Sequence, residues 1–252
     1  MSMPPSPPAG WYPDPATPGM IRFWDGRQWT AAQQPMRPVP PPKPRPPVPP
    51  HAGRNERLGR IALVARAGVL ILAAAATGIA YDYLLRYFDL VTTQPGQPPS
   101  LDVAGFARNG LLVAGASALI WASIAALAVW THRCATAGAA LGIPARFEPA
   151  WGTVGWFIPF LNYWFPYQAV RDSLPPDHPR RRDAAWWWGL DIAAAQLVQV
   201  VALIALAGRV PFVIALAVLV AVAVAATMLG LRVAAGIDEA HRAAKPTADQ
   251  PV

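Results

Sequence analysis

The sequence predicts an all-α integral membrane protein with four transmembrane helices, a re-entrant or interfacial helical hairpin, and a small cytoplasmic β-hairpin module at the N-terminus. Hydrophobic residues make up 54% of the 252-residue chain, and charged residues only 14%. Because a soluble domain of this length needs more charge to cover its surface, insertion into a bilayer is the simpler explanation. Four apolar runs reach the roughly 20 residues that a helix needs to cross the hydrocarbon core. They cover residues 61–81, 110–130, 186–206 and 212–231.

The distribution of basic residues predicts the orientation of these helices. Most arginines precede the first run, separate the second run from the third, or follow the fourth. Since cytoplasmic loops carry the excess of Lys and Arg, both termini are expected in the cytoplasm of a multi-pass protein of the cell inner (plasma) membrane. The other side carries only Arg86, Arg108 and Arg209, and a flexible polar connection is expected there over residues 82–102.

The stretch between the second and third runs, residues 155–173, is apolar and aromatic but contains two prolines. Basic residues flank it on both sides, so a span here would carry one basic group across the membrane. We therefore expect it to enter and leave on the same side, as a re-entrant or interfacial hairpin that turns at "PFLN". A proline-kinked fifth span is the alternative. The residues that characterise the hairpin are Trp156, Pro159, Asn162, Pro166, Tyr167 and Gln168.

Residues 1–31 contain a cluster of aromatic side chains around a turn signal. The dipeptide Asp25-Gly26 suits a two-residue type I′ turn, because both positions of that turn need a positive φ. Two short strands joined by this turn would form a β-hairpin with a small core of aromatic and proline side chains. The residues of this module are Trp11, Tyr12, Pro13, Trp24, Asp25, Gly26 and Trp29.

A proline-rich linker follows over residues 32–56 and contains the sequence "RPVPPPKPRPPVPP". Proline at this density favours an extended polyproline II conformation, which acts as a semi-rigid spacer. The linker is either a spacer that holds the hairpin away from the membrane, or a docking ligand for an aromatic groove in a partner or in the chain's own hairpin. The four-helix domain covers residues 57–245, and a short tail covers residues 246–252.

Residues 10–30 contain the motifs "GWYPDP", "PG", "RFWDG" and "WT" in this order. Their order and spacing resemble a short actinobacterial module, domain of unknown function 2510. In that family the module precedes membrane segments. The resemblance therefore implies a membrane protein and implies no activity.

The region around the predicted hairpin contains "PAW", "GWFIPFLN" and "PYQAVRD", followed by the three tryptophans that begin the third run. This series resembles the central signature of a second family, domain of unknown function 4328. Because the family consists of four-helix bacterial membrane proteins, the resemblance implies that architecture over residues 59–244. It implies no reaction.

Polar side chains inside the apolar runs are the candidate functional residues of the membrane domain. Arg66 and Asp191 each lie about five residues, or about 8 Å by helical rise, inside a run that begins at the cytoplasmic face. Their equal depth and opposite charge predict an ion pair if the two helices are neighbours. These polar side chains form either structural contacts between helices or a polar path through the membrane domain. They comprise Arg66, Asp191, Gln196 and Gln199, with Asn162 and Gln168 at their boundary.

The sequence lacks the patterns typical of an enzyme, so no catalytic residue, metal site or cofactor is expected. Its histidines are isolated, and no Gly-rich phosphate loop precedes a helix. The arginines flank apolar runs instead of forming a basic stripe, so no nucleic-acid partner is expected.

Two functions fit this organisation. We expect a membrane-anchored interaction or scaffold protein that recruits a cytoplasmic partner through the N-terminal module or the linker. The alternative is a small transporter or channel component that uses Arg66, Asp191, Gln196 and Asn162. The sequence predicts the lipid bilayer as a partner and gives no oligomeric state.

Overall fold

The computed structural model describes residues 7–36, 44–93 and 102–245. It divides the chain into two units, Met1–Pro44 and Arg45–Val252. The first contains a small sheet and the second contains the helices. Part of the predicted linker (37–43), part of the predicted polar connection (94–101) and the C-terminal tail (246–252) lie outside the described residues.

The N-terminal unit is a three-stranded antiparallel sheet, in which a strand precedes the predicted hairpin. Strands β1 (Gly10–Pro13), β2 (Met20–Trp24) and β3 (Trp29–Pro35) pair in the order β1-β2-β3. A two-stranded hairpin is marginally stable in water, and the third strand adds cross-strand aromatic pairs. One of these pairs is Trp11 with Phe23, whose ring centroids lie 5.4 Å apart. Strand β3 extends four residues past the predicted end of the module.

The predicted two-residue type I′ turn is wrong. Trp24 pairs with Trp29, so the turn contains four residues, 25–28. The Asp25 carboxylate accepts hydrogen bonds from the backbone N–H groups of Gln28 and Arg27, each at 2.7 Å, and these bonds lower the pKa of that carboxyl. The side chain thus closes a longer turn than the backbone alone would form. Gly26 keeps the expected positive φ, at 97°.

Six α-helices form the second unit within the described residues, with 3₁₀ turns at Leu161–Tyr163 and Ala205–Ala207. Four of them are long and apolar enough to cross a membrane, and each covers one of the predicted runs, α5 together with the 3₁₀ turn that follows it. The chain is therefore a multi-pass membrane protein by the length and composition of these helices. The helices are α1 (Glu56–Thr93), α2 (Val103–Ala140), α3 (Trp151–Val154), α4 (Phe165–Arg171), α5 (Arg180–Ile204) and α6 (Arg209–Ala243).

The flexible connection predicted from residue 82 onward is wrong for its first twelve residues. Helix α1 continues to Thr93, and residues 82–93 carry an Asp82–Arg86 ion pair at 2.9 Å with helical i,i+4 spacing that supports it. Helix α2 then begins at an N-cap, Asp102, whose carboxylate accepts a hydrogen bond from the Gly105 N–H at 2.8 Å.

Helix α1 lies at the centre of the helical unit and packs against α2, α5 and α6. Helices α3 and α4 pack against α2, and α4 also packs against α5. We call residues 151–171, which contain α3 and α4, the insert. The largest buried side chains around it are Trp130 on α2 and Trp187 on α5, whose rings meet edge to face with centroids 6.0 Å apart.

The first turn of α1 is capped by a side chain from the last helix. The backbone N–H groups of Asn55 and Glu56 donate to the two carboxylate oxygens of Asp238, at 3.0 and 2.8 Å. Asp238 is buried, and its negative charge lies at the positive end of the helix dipole. Residues 52–55, which the sequence assigned to the linker, therefore pack in the helical unit.

Candidate functional site

The two arms of the insert run antiparallel. The Trp151 ring stacks on the Phe165 ring with centroids 4.7 Å apart. A Cβ atom placed on Gly155 would lie 2.6 Å from the Phe165 Cβ, and one placed on Gly152 would lie 3.2 Å from the Ala169 Cβ. Gly152, earlier in the first arm, faces Ala169, later in the second, whereas Gly155 faces Phe165; this pairing is that of a helical hairpin. Glycine is needed at these positions because the two arms touch there.

The turn between the arms lies at Pro159–Asn162, as the "PFLN" sequence predicts. Phe160 has a φ of 65°, a strained value for a residue with a large side chain. The Asn162 N–H donates to the carbonyl of Ile158 at 3.0 Å and closes the turn. Pro166 lies in the first turn of α4, where a helix does not need the missing N–H, so it starts the second arm.

The chain segments on both sides of the insert meet at one carboxylate, Asp172. The Arg146 N–H donates to one of its oxygens at 3.2 Å. The guanidinium groups of Arg171 and Arg181 lie 2.7 and 3.6 Å from the other oxygen. Entry to and exit from the insert therefore lie at the same end of the helical unit.

The region around the turn of the insert is fixed to α2 and α5 by hydrogen bonds. The Trp156 indole N–H donates to the Thr131 hydroxyl at 3.2 Å. The Trp188 indole N–H donates to the Tyr163 carbonyl at 2.8 Å, and the Gln196 amide donates to the Tyr163 hydroxyl at 2.9 Å. These bonds position the turn of the insert against the middle of α5.

The structure brings the two predicted intramembrane charges together. Arg66 on α1 and Asp191 on α5 are both buried, and the Nε–Oδ1 distance is 3.6 Å. The Arg66 guanidinium also donates through Nη1 to the Ser123 hydroxyl on α2, at 3.4 Å. The sequence did not link Ser123 to this pair, because its partner lies on another helix.

A cavity of about 110 Å³ lies between this ion pair and the turn of the insert. The Arg66 Nε and the Asn162 Oδ1 are both buried without a hydrogen-bond partner. The volume suffices for several water molecules or a solute of a few heavy atoms, and it is well below the roughly 300–1,000 Å³ of pockets for drug-sized ligands. The polar lining residues are Arg66, Asp191, Asn162, Tyr163 and Gln196, and the apolar wall consists of Ile124, Trp156, Trp188, Ile192 and Ala195.

Five of the predicted residues of the membrane domain lie outside this cavity: Pro159, Pro166, Tyr167, Gln168 and Gln199. Gln199 is exposed on α5 and does not line it. Gln168 is buried beside a separate void of about 20 Å³, and both polar atoms of its amide lack partners. Tyr167 carries the Arg171 guanidinium over its ring, 5.5 Å from the ring centroid.

The predicted aromatic residues of the N-terminal sheet divide between its two faces. Trp24 pairs with Trp29 across the strands, and their ring centroids lie 5.2 Å apart. Tyr12 lies on the same face, with its ring 6.3 Å from that of Trp29. Trp11 lies on the opposite face, because successive side chains of a strand point to opposite sides.

Two family profiles match the chain. Residues 9–49 match the "Protein of unknown function (DUF2510)", and residues 99–239 match the "Domain of unknown function (DUF4328)". The second match covers more than half of the chain. The chain belongs to the DUF4328 family. No curated protein and no solved structure matched it. The DUF4328 match begins after α1, so Arg66 lies outside the matched region, whereas Asp191, Asn162 and Gln196 lie within it.

Proposed function

We propose that this DUF4328 protein is a small transporter or channel component that takes a small, uncharged, hydrogen-bonding solute into the cavity at the turn of the insert. The observation that carries the proposal is the shared cavity. Side chains from α1, α5 and the insert, remote in sequence, converge on one polar space. The proposed role is passage of the solute without a chemical reaction.

The insert is proposed to be re-entrant, entering the membrane from the cytoplasmic side with both termini on that side. Gln196, which contacts the turn of the insert, lies about 24 Å along α5 from its first residue, Arg180. On α2 the Trp121 ring stacks on the Phe157 ring, and Trp121 lies in the middle of the predicted 110–130 run. Contacts at mid-helix support entry into the hydrocarbon region. The basic residues near Asp172, among them Arg146 and Arg181, support the cytoplasmic side.

The chemistry of the lining supports an uncharged solute. Arg66 and Asp191 neutralise each other, so the cavity carries no net charge from this pair. The Arg66 Nε, which lies 3.6 Å from Asp191 and makes no hydrogen bond, supplies a donor, and the Asn162 Oδ1, which also makes none, supplies an acceptor. A solute or water that bonds to both would satisfy buried groups that are otherwise costly to leave unpaired.

Thiol labelling tests whether the cavity is hydrated. Gln196→Cys should react with a membrane-impermeant, water-soluble maleimide added to inside-out vesicles, because a thiol reacts as its thiolate in water. Gln199→Cys is the matched control: it lies three residues on in the same helix, outside the cavity, and should stay unlabelled in the lipid. The native Cys134 is buried and gives a low background. Equal labelling of the two variants would contradict the proposal.

Flux measurements test the activity. Reconstituted vesicles should equilibrate glycerol or urea faster than protein-free vesicles in a stopped-flow light-scattering assay. Gln196→Ala should change this rate severalfold, and Gln199→Ala should leave it unchanged. A wild-type rate equal to that of protein-free vesicles for both solutes would reject the proposal.

A second role, that of a membrane-anchored interaction protein, is favoured by the N-terminal unit. The sheet forms a unit of its own and exposes Trp11 and Trp29. Exposed large aromatic side chains are typical of interaction surfaces. Detergent-solubilised full-length protein should enrich a partner that a chain lacking residues 1–36 does not enrich. Identical eluates from the two chains would contradict this role.

A further inference from the structure

Two carbonyl groups of a proline pair are already bound by the aromatic side chains of the N-terminal sheet. The Tyr12 hydroxyl donates to the carbonyl of Pro8 at 2.8 Å. The Trp24 indole N–H donates to the carbonyl of Pro7 at 3.1 Å. Both donors lie at the edges of aromatic rings, so the backbone of the proline pair passes beside the edges of these two rings.

The two rings that hold this proline pair form one continuous face with a third ring, and we call it the aromatic face (Tyr12, Trp24 and Trp29). The Trp24 and Trp29 rings pack edge to face, and so do the Tyr12 and Trp29 rings. Gly10, which pairs with Trp24 in the register, adds no side chain beside the Tyr12 ring. Trp29 remains 38% exposed, so the face extends beyond the part that the proline pair contacts.

This geometry has the chemistry of a polyproline-binding surface. A polyproline II segment makes no internal hydrogen bonds, so its carbonyls are free to accept bonds from a partner. Proline rings pack well on aromatic grooves, and such grooves bind proline-rich segments at low entropic cost because the segment is already extended. Tyr12 and Trp24 supply the two donors, and Trp29 supplies exposed ring surface.

We propose that the aromatic face is a docking site for the proline-rich segment 37–50 of a second copy of this chain, and that Pro7 and Pro8 are its intramolecular competitor. The proposal rests on the interaction role proposed above and names the partner. Within the described residues 44–50, Pro44, Pro46, Pro47 and Pro50 are exposed and Pro49 is half-buried.

The position of the linker favours a second copy over the same chain. The linker leaves the sheet after Pro35, which pairs with Met20 at the opposite end of β3 from Trp29. These ends are about 20 Å apart by strand rise. A sequence this rich in proline resists the sharp reversal needed to return over that distance. A second copy in the same membrane meets no such restriction and is held at high local concentration.

Peptide binding to the full-length protein tests the aromatic face. A synthetic peptide of residues 37–50 is titrated into detergent-solubilised protein, with tryptophan fluorescence as the readout. Tyr12→Phe and Trp24→Phe each remove one donor and keep a ring, so binding should weaken about threefold to tenfold for each. Trp11→Phe on the opposite face is the matched control and should leave binding unchanged. A double Pro7→Ala, Pro8→Ala variant should bind the peptide more tightly.

Energy transfer between two labelled copies tests the source of the ligand. Donor- and acceptor-labelled copies are reconstituted together at low density, and excess peptide should reduce the transfer. Tyr12→Phe should reduce it as well. Peptide binding without transfer between copies would overturn the second copy as the partner, and no binding at millimolar peptide would overturn the aromatic face. Partner enrichment that depends on residues 1–36 but is unchanged by Tyr12→Phe would overturn this face and leave the interaction role standing.

Discussion

The two ends of the helical unit are packed differently. The insert end, where α1 and α5 begin and α2 and α6 end, contains the insert and most of the buried side chains of α2, from Ser123 to Ala140. The opposite end, which we call the far end, is where α1 and α5 end and α2 and α6 begin. It exposes large apolar side chains, including Phe88, Leu111 and Val210, which are 60%, 74% and 72% exposed. A membrane supplies apolar contacts to the far end, because lipid tails are as apolar as these side chains. Protein packing must therefore hold the insert end, where the polar cavity lies.

The polar contacts also differ between the two ends: buried contacts between distant residues dominate at the insert end, and local or exposed contacts dominate at the far end. At the insert end, Asp238 caps α1 from another helix and Asp172 joins Arg146 to Arg181. At the far end, the ion pair Asp82–Arg86 lies within one helix, and Asp102 caps its own helix. Asp102 also accepts a hydrogen bond from the Tyr83 hydroxyl on α1 at 3.0 Å, but this bond is exposed. Buried long-range bonds specify a tertiary arrangement, whereas local bonds stabilise a helix whatever its neighbours.

The largest expected effect is the loss of the buried ion pair. Asp191→Ala leaves the Arg66 guanidinium buried without its charge partner and should lower the free energy of unfolding by about 3–5 kcal/mol. Asp82→Ala, which removes an exposed pair at the far end, should cost less than about 1 kcal/mol. Unfolding in mixed detergent micelles measures both. A double Arg66→Met, Asp191→Leu variant should recover most of the loss, and equal effects of the two single variants would remove the distinction between the ends.

The second prediction compares two leucines on one helix. Leu127 on α2 is fully buried, and Leu111 on the same helix is 74% exposed. Leu127→Ala should cost about 2–5 kcal/mol because it leaves a cavity. Leu111→Ala exchanges one lipid-facing apolar side chain for another and should cost under about 1 kcal/mol. The same unfolding measurement applies, and a larger loss for Leu111→Ala would show that the far end is also closely packed.

The third prediction compares two helix caps. Asp238→Ala removes the acceptor for two buried N–H groups at the start of α1 and should cost about 1–2 kcal/mol. Asp102→Ala removes an exposed cap of α2 and should cost less. Hydrogen exchange of the first-turn amides locates each effect: Asn55 and Glu56 should exchange faster in the first variant, and Gly105 in the second. Unchanged exchange at Asn55 would contradict the capping role of Asp238.

The smallest expected effect is a pH dependence at the far end. The hydrogen bonds from the Gly105 N–H and the Tyr83 hydroxyl lower the pKa of Asp102. A carboxyl whose pKa is lowered by folding stabilises the folded state above its unfolded pKa, and this contribution is lost as the pH falls through the folded pKa. The difference in thermal midpoint between wild type and Asp102→Asn should therefore be present at pH 6 and disappear toward pH 3. A constant difference over this range would contradict the role of the ionised form.

The sequence predicts features that depend on the local residue pattern or on how far along a helix, and so how deep in the membrane, a residue lies. The four long helices follow from apolar runs, and the Arg66–Asp191 contact follows from equal depth along two helices. The Asp25 turn was mispredicted because a side-chain carboxylate replaces a backbone acceptor. Residues 82–93 were mispredicted because polar side chains on an exposed helix look like those of a loop.

Features that depend on the rotation of a helix about its axis could not be predicted. Gln196 and Gln199 differ by about 60° around α5, and the edge of the cavity falls between them. Only the position of the insert decides which of the two faces the cavity. The Asp238 cap could not be predicted either, because nothing near Asn55 in the sequence points to a residue on the last helix.

The Asp238 cap has a consequence for the time at which the chain completes its fold. The acceptor of the Asn55 N–H lies 183 residues later in the chain. At about 5–20 residues per second, the ribosome supplies this acceptor roughly 10–35 s after it has made the start of α1. During that interval two N–H groups at the start of α1 lack the acceptor that they have in the folded protein. The start of α1 is thus synthesised before the other helices of the unit and receives its cap only when α6 is complete.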